Sequence, residues 1–176
     1  MTGHCILSHG LNSSPSAVRV SALARVAGAL GWTHERPDYS DLDVGGEPAD
    51  LPLRVGRLLA RVRRWREAGN RGLLVLAGSS LGAYTSALAS LQEACDGLFL
   101  MVPPVHLPEP AVPLQAARVP TWVVHAWHDE LIPPSDVVRW CQTRADRLLM
   151  LADNHRLENH VDEVAAEFGR FLQVLA

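Results

Sequence analysis

Apolar positions fall into two formats that alternate along the chain. Short unbroken runs such as Cys5-Ile6-Leu7, Leu73-Leu74-Val75-Leu76-Ala77 and Leu148-Leu149-Met150-Leu151 are bounded by polar or turn-forming residues. Between them lie longer segments whose apolar residues recur every three or four positions. The last of these is the clearest: Val161, Val164, Ala165, Phe168, Phe171 and Leu172 make one helical stripe. Unbroken runs read as strands buried on both faces, and stripes read as helices that cover them. The pattern predicts strands near 4–8, 32–36, 72–77, 97–102, 120–126 and 147–151. It predicts helices over about 15–30, 50–68, 81–94, 134–143 and 159–174. Strands alternating with helices imply an α/β fold: about six strands in a mostly parallel sheet, with helices on both faces.

Length and charge narrow the classes. A chain of 176 residues is expected to form one domain, 1–176, with a sizeable core. A net charge of −3 argues against a dedicated nucleic-acid binder. All 16 basic residues are arginine, and seven lie between Arg54 and Arg71. An anion or membrane patch is one reading of that cluster. The favoured one is the solvated face of a helix, since Val55, Leu58, Leu59 and Val62 supply its buried stripe. Cys5, Cys95 and Cys141 are odd in number and far apart, which suits neither a disulfide framework nor a zinc site. No secretory signal or membrane span is evident, so a reducing cytoplasm is the expected setting.

One pentapeptide carries chemistry. Gly78-Ser79-Ser80-Leu81-Gly82 follows a predicted strand and opens a predicted helix, the setting of a nucleophile elbow. Such a turn is tight enough that the residues two before and two after the serine approach each other, so both must be small. Gly78 and Gly82 meet that demand. The N–H of Leu81 then lies at a helix start, where the dipole favours negative charge, and can donate to an oxyanion. An ordinary glycine-rich turn is the alternative.

A serine becomes a nucleophile only with a base, and the base needs an orienting carboxylate. In the order Ser, acid, His, the candidates are Asp129 and His155, each just past a predicted strand end. Glu130 is the rival acid and His160 the rival base, although Asn159-His160 also suits the start of the last helix. His125 and His128 read as structural, and Asp136 as a first-turn helix residue. Near the amino terminus, Cys5-Ile6-Leu7 leads into His9-Gly10-Leu11-Asn12-Ser13-Ser14-Pro15. Leu11 is the candidate second oxyanion N–H, Gly10 lets the backbone approach closely, and His9 shapes the loop. Ser14-Pro15 reads as a helix start.

Taken together, the His9-Gly10 start, the Ser80 elbow, Asp129 and His155-Arg156-Leu157 resemble the α/β-hydrolase superfamily along the whole chain. The start, the elbow and the His155 loop are similar to small bacterial YqiA-like esterases, and also to acyl-protein thioesterases of the mitochondrial depalmitoylase type. Asp153-Asn154 departs from the pattern, since many relatives carry glycine just before the histidine. Relatives place a cap after the strand that here ends near Val102. About 17 residues, six prolines among 103–120, are too few for a folded one. The resemblance implies a minimal hydrolase without a cap domain and with an open site. Asn12, Tyr39, His106 and Trp127 are the candidates to line it.

The expected activity is hydrolysis of small-molecule carboxylic esters with short to medium acyl groups, through Ser80, His155 and Asp129 and an acyl-enzyme. No metal or organic cofactor is implied. Thioester hydrolysis at the same site is the alternative chemistry, and a non-catalytic binding module on the same scaffold is the alternative class. A nucleotide-binding fold is disfavoured, because neither Gly-x-Gly-x-x-Gly nor a lysine-bearing phosphate loop follows a strand.

Overall fold

The computed structural model describes residues 3–43, 51–107 and 113–176. Six strands form one sheet: β1 (His4–Ser8), β2 (Thr33–Glu35), β3 (Leu74–Ser79), β4 (Gly97–Met101), β5 (Thr121–Ala126) and β6 (Arg147–Leu151). Their spatial order is β2-β1-β3-β4-β5-β6, and every pairing is parallel. Five helices connect them: α1 (Val18–Ala29), α2 (Leu51–Glu67), α3 (Leu81–Ser90), α4 (Pro134–Arg144) and α5 (Val161–Leu175).

Alternate residues of each central strand feed two separate cores. Ile6, Leu74, Leu76, Leu98, Leu100 and Val123 face α2, α3 and α4. Cys5, Leu7, Val75, Ala77, Phe99 and Val124 face α1 and α5. This is why the central strands read as apolar runs: both faces are buried, so few polar residues alternate in. The edge strands depart from that expectation: β6 keeps an apolar run although only its Leu151 is buried, and β2 (Thr33–Glu35) has no buried residue. On the second face the ring of Phe99 meets Phe168 edge-on at 5.0 Å and Phe171 at 5.8 Å. Full burial of one such side chain contributes about 1.5–3 kcal/mol.

Element boundaries differ from the sequence pattern in places. Helix α1 begins at Val18 rather than at Pro15, because Ser14 closes a turn first, its carbonyl accepting from Ala17 N–H at 3.0 Å. Helix α3 ends at Ser90 rather than Ala94; Leu91 and Gln92 N–H bond to the carbonyls of Leu88 and Ala89 in tighter turns of the 3₁₀ type. A short 3₁₀ turn at Ser40–Leu42 was not anticipated. The expected helix start at Asp50, and Pro108 and Pro110 of the proline-rich connection, lie outside the described residues. No cap domain is present among the described residues. Instead, Val105 and Leu114 of that connection are buried on the α4 side, joined by a Leu114 N–H bond to the Val105 carbonyl at 2.8 Å. No helix among the described residues is long and apolar enough to cross a membrane.

The strand order places the site. From β1 the chain goes to one side to build β2, then returns to the other side to build β3. Such a reversal opens a crevice at the carboxyl ends of the two central strands. The loop after β1 and the turn after β3 both emerge there, with Ser8 level with Gly78.

Candidate active site

The turn after β3 holds Ser80 at φ 52° and ψ −122°, a conformation that costs on the order of 1–3 kcal/mol for a residue with a side chain. Neighbouring backbone holds it there. Ser80 N–H donates to the Met101 carbonyl at 2.9 Å, and the Ser80 carbonyl accepts from Ala83 and Tyr84 N–H at 2.8 and 3.1 Å. Both glycines are sterically required. A Cβ on Gly78 would lie 2.2 Å from the Gly82 carbonyl oxygen, and a Cβ on Gly82 would lie 2.2 Å from that of Ser8.

Asp129 and His155 arrive from the ends of β5 and β6. His155 Nδ1 lies 2.8 Å from Asp129 Oδ2, and its Nε2 lies 3.0 Å from Ser80 Oγ. A carboxylate only accepts, so Nδ1 carries the proton and Nε2 is left to accept from the serine hydroxyl. The other Asp129 oxygen accepts from Leu131 and Ile132 N–H at 2.9 and 2.8 Å. Burial pushes the Asp129 carboxyl up, but these bonds, led by His155, outweigh it and hold it below the ordinary range.

The rival residues lie elsewhere. The Glu130 carboxylate accepts the backbone N–H of His155 at 3.1 Å and so steadies the loop rather than the ring. His160 sits at the helix-capping position of α5 but caps no N–H; its Nδ1 donates to Asp153 Oδ2 at 2.9 Å. His125 is fully buried beneath the site, donating from Nε2 to the Ile132 carbonyl at 3.2 Å. Burial lowers its pKa and keeps it neutral.

The loop after β1 packs directly on the elbow. A Cβ on Gly10 would lie 3.4 Å from Ser80 Cβ. His9 Nδ1 donates to the Gly10 carbonyl at 2.8 Å, and its Nε2 accepts from Tyr39 N–H at 2.9 Å, so both ring nitrogens are engaged in shaping the loop. Burial lowers the His9 pKa, in keeping with a neutral ring. The N–H groups of Leu11 and Leu81 donate to no protein group among the described residues.

The four lining candidates part company. Asn12 is exposed and takes a left-handed φ of 50°, its N–H bonded to Asp43 Oδ2 at 3.0 Å. Trp127 is 55% exposed at the end of β5. Tyr39 requires correction: it is fully buried, its hydroxyl bonded to Ser8 Oγ at 3.0 Å, so it supports the loop from below and lines no open surface. His106 lines a cleft of about 180 Å³ with Trp140, Asp136 and Arg139. None of Ser80, Asp129 and His155 lines that cleft. A larger cleft of about 430 Å³, with Arg118, Arg144 and Arg147 on its walls, lies at the amino ends of β5 and β6, away from the serine. Two of its three cations are paired, Arg144 with Asp146 and Arg147 with Glu167, while Arg118 donates to the Arg144 carbonyl at 3.3 Å.

Three supporting residues escaped the sequence pattern. Arg19 of α1 donates to the His155 carbonyl at 2.9 Å. Asp153 gathers the loop that carries His155, accepting from Asn154, Asn159 and His160. Arg54 belongs to the arginine run read as a solvated helix face, yet it is 1% exposed and lies under the loop after β1. Its neighbours Arg57, Arg61 and Arg64 do pair at the surface, with Asp41 and Glu35.

Known structures share this architecture. The chain is 51% identical to a protein from Xanthomonas campestris assigned to the α/β superfamily of hydrolases, with a TM-score of 0.92 over 98% of this chain and 99% of that one. A lid-less α/β serine hydrolase from the same species is 21% identical, with a TM-score of 0.70 over 98% of this chain and 83% of that one. Est1E from Butyrivibrio proteoclasticus is 18% identical, with a TM-score of 0.82 over 99% of this chain and 88% of that one. No protein-family model and no curated protein matches. The fold is common to all three, and identity with the first over nearly the whole of both chains shows that this chain belongs to the α/β-hydrolase superfamily.

Proposed function

We propose that the protein is a serine hydrolase that cleaves small carboxylic esters through Ser80, His155 and Asp129. One observation carries the reading: the unbroken hydrogen-bond chain from Ser80 Oγ through His155 to Asp129, with spacings of 3.0 and 2.8 Å. Ser80 attacks the ester carbonyl while His155 Nε2 takes its proton. Asp129 holds the Nδ1–H tautomer and supports the imidazolium that forms. The N–H groups of Leu81 and Leu11 receive the oxyanion. Collapse expels the alcohol, which leaves with the proton from His155. Water, deprotonated by the same ring, then releases the acid and restores Ser80.

The substrate range follows from the absence of a cap domain among the described residues. Each buried methylene is worth about 0.8 kcal/mol, which a long acyl chain gains only where a groove covers it. Asn12 and Trp127 stand in loops at the carboxyl end of the sheet and are the candidates to touch substrate. Acetyl to hexanoyl esters should therefore turn over faster than palmitoyl esters. The test is p-nitrophenyl acetate hydrolysis by the purified protein and by Ser80→Ala. The variant should lose about 10⁴-fold or more in kcat. Equal rates would overturn the assignment, and a rate rising steadily from acetyl to palmitoyl would overturn the substrate range.

A further inference from the structure

Among the described residues, Arg54 is one of the largest fully buried side chains and the only arginine in that group. Burying an ion pair is a poor way to gain stability, because desolvation offsets the attraction. Its contacts point to another use. One Nη1 group is paired with Asp43, itself 8% exposed. The Nη2 group donates to the His9 carbonyl at 2.8 Å and reaches the Gly10 carbonyl at 3.4 Å. The guanidinium lies 4.4 Å from the centre of the Tyr39 ring. Asp43 completes the clamp from the far side of the loop, its second oxygen accepting Asn12 N–H at 3.0 Å.

The peptide between Gly10 and Leu11 is therefore held by its carbonyl. His9 Nδ1–H and Arg54 both draw that oxygen inward. In a planar trans peptide the N–H points opposite to the C=O. Drawing the Gly10 carbonyl toward Arg54 thus turns the Leu11 N–H away from the interior, on a loop that already touches Ser80. The elbow does the same by other means. There the Ser80 carbonyl is held by helix α3, through Ala83 and Tyr84, and the Leu81 N–H points out of the helix start. Donation to the Gly10 carbonyl also polarises the peptide, which strengthens its N–H as a donor.

We propose that Arg54, anchored by Asp43, is a positioning residue that aims and polarises the Gly10–Leu11 peptide as half of an oxyanion hole. The proposal rests on the ester-hydrolase reading above. It separates Arg54 from the bases and acids of the site: Arg54 touches no reacting atom and acts through one backbone amide.

Arg54→Met and Arg54→Lys test it, with folding followed by circular dichroism and thermal melting. Methionine fills the space without donors. Lysine keeps the charge for Asp43 but cannot span three acceptors from one point. With p-nitrophenyl acetate, kcat should fall about 10- to 100-fold in folded Arg54→Met while KM stays within about twofold, since the donor matters most as charge develops. Affinity for a short alkyl trifluoromethyl ketone, whose adduct carries an oxyanion, should fall by the same factor as kcat/KM. The pH profile should keep its shape, because Arg54 takes no part in the proton transfers. Arg54→Lys should lie between the two. A folded Arg54→Met with wild-type kcat would overturn the proposal alone, as would a loss of kcat without a loss of ketone affinity. If neither variant folds and Asp43→Asn also fails to fold, the pair serves folding and the proposal is overturned. Wild-type protein no faster than Ser80→Ala would overturn the hydrolase reading and this inference with it.

Discussion

Asp129 with His155 and Asp153 with His160 are two carboxylate–histidine pairs of the same chemistry and nearly the same length, 2.8 and 2.9 Å. Both aspartates are buried, and both are held below the usual carboxylate range: burial raises them, and hydrogen bonds led by the histidine more than compensate. The loops that carry the two aspartates are also joined, since His128 N–H, next to Asp129, donates to the Asp153 carbonyl at 3.0 Å. What differs is the span each one closes. Asp153 and His160 are seven residues apart and seal one loop. Asp129 and His155 are 26 apart and join the ends of two strands, with the free edge of the ring turned to Ser80. The local pair shapes the segment that carries His155; the long-range pair aims its ring. A carboxylate beside a histidine is thus no sign of a base until a third partner lies in reach.

The sharpest way to break this comparison is to remove each histidine in turn. His155→Ala should lower kcat for p-nitrophenyl acetate by about 10⁴-fold or more, and adding Ser80→Ala should cost little further, because the groups act as a unit. His160→Gln should stay within a few-fold of wild type. Equal losses from the two would erase the distinction between the pairs.

Replacing the carboxylates gives the next effect. Asp129→Asn should cost about 10³- to 10⁴-fold in kcat, since the amide permits the wrong tautomer. Asp153→Asn should act mainly on the fold. Its oxygens accept from Asn154, Asn159 and His160, donors that are only half-buried or exposed, so the loss should lie at or below the roughly 1 kcal/mol end of the range for an unpaired group. A lower thermal midpoint with at most a roughly tenfold loss in kcat is the expected outcome. An Asp153→Asn protein as inactive as Asp129→Asn, but as stable as wild type, would mean that the local pair also does chemistry.

The smallest effect concerns acid. His9 and His125 have lowered pKa values because burial disfavours the charged rings, so the folded state prefers them neutral. Their contribution to stability is complete above the unfolded value of about 6.5 and is lost as pH falls through the lower folded values. Asp129 and Asp153 are also lowered, so their contribution is complete above about 3.9 and is lost as pH falls below it. The thermal midpoint should therefore drop in two stages on acidification, the first starting below about pH 6.5. Asp153→Asn should reduce only the second stage. A midpoint flat from pH 7 to 5 would remove the histidine part of the argument.

The architecture was legible because burial on both faces writes a strand as an unbroken apolar run, as in Leu74–Ala77, while one-sided burial writes a helix as a stripe, as in α5. Boundaries were less so. Ser14-Pro15 has the chemistry of a helix start, yet the chain closes a turn before α1 begins, a matter of loop geometry rather than local preference. The elbow was legible for a local reason: Gly78 and Gly82 collide with backbone if given a Cβ, and both lie within two residues of Ser80.

By itself, then, the sequence determined those features whose causes lie within a few residues: strands, stripes, the glycine-framed turn and the set of acids and histidines at strand ends. Only the tertiary structure decided among members of that set. Asp129 faces His155 while Glu130 turns to a backbone N–H, and His155 faces Ser80 while His160 turns to Asp153. Adjacent residues in a loop have the same local propensities, so what separates them is the direction each side chain takes once two distant strands are in register. Arg54 shows the same limit most plainly. Among seven arginines of one run, only its place on the inner face of α2, opposite Asp43 and the Gly10 carbonyl, turns a surface charge into a buried clamp.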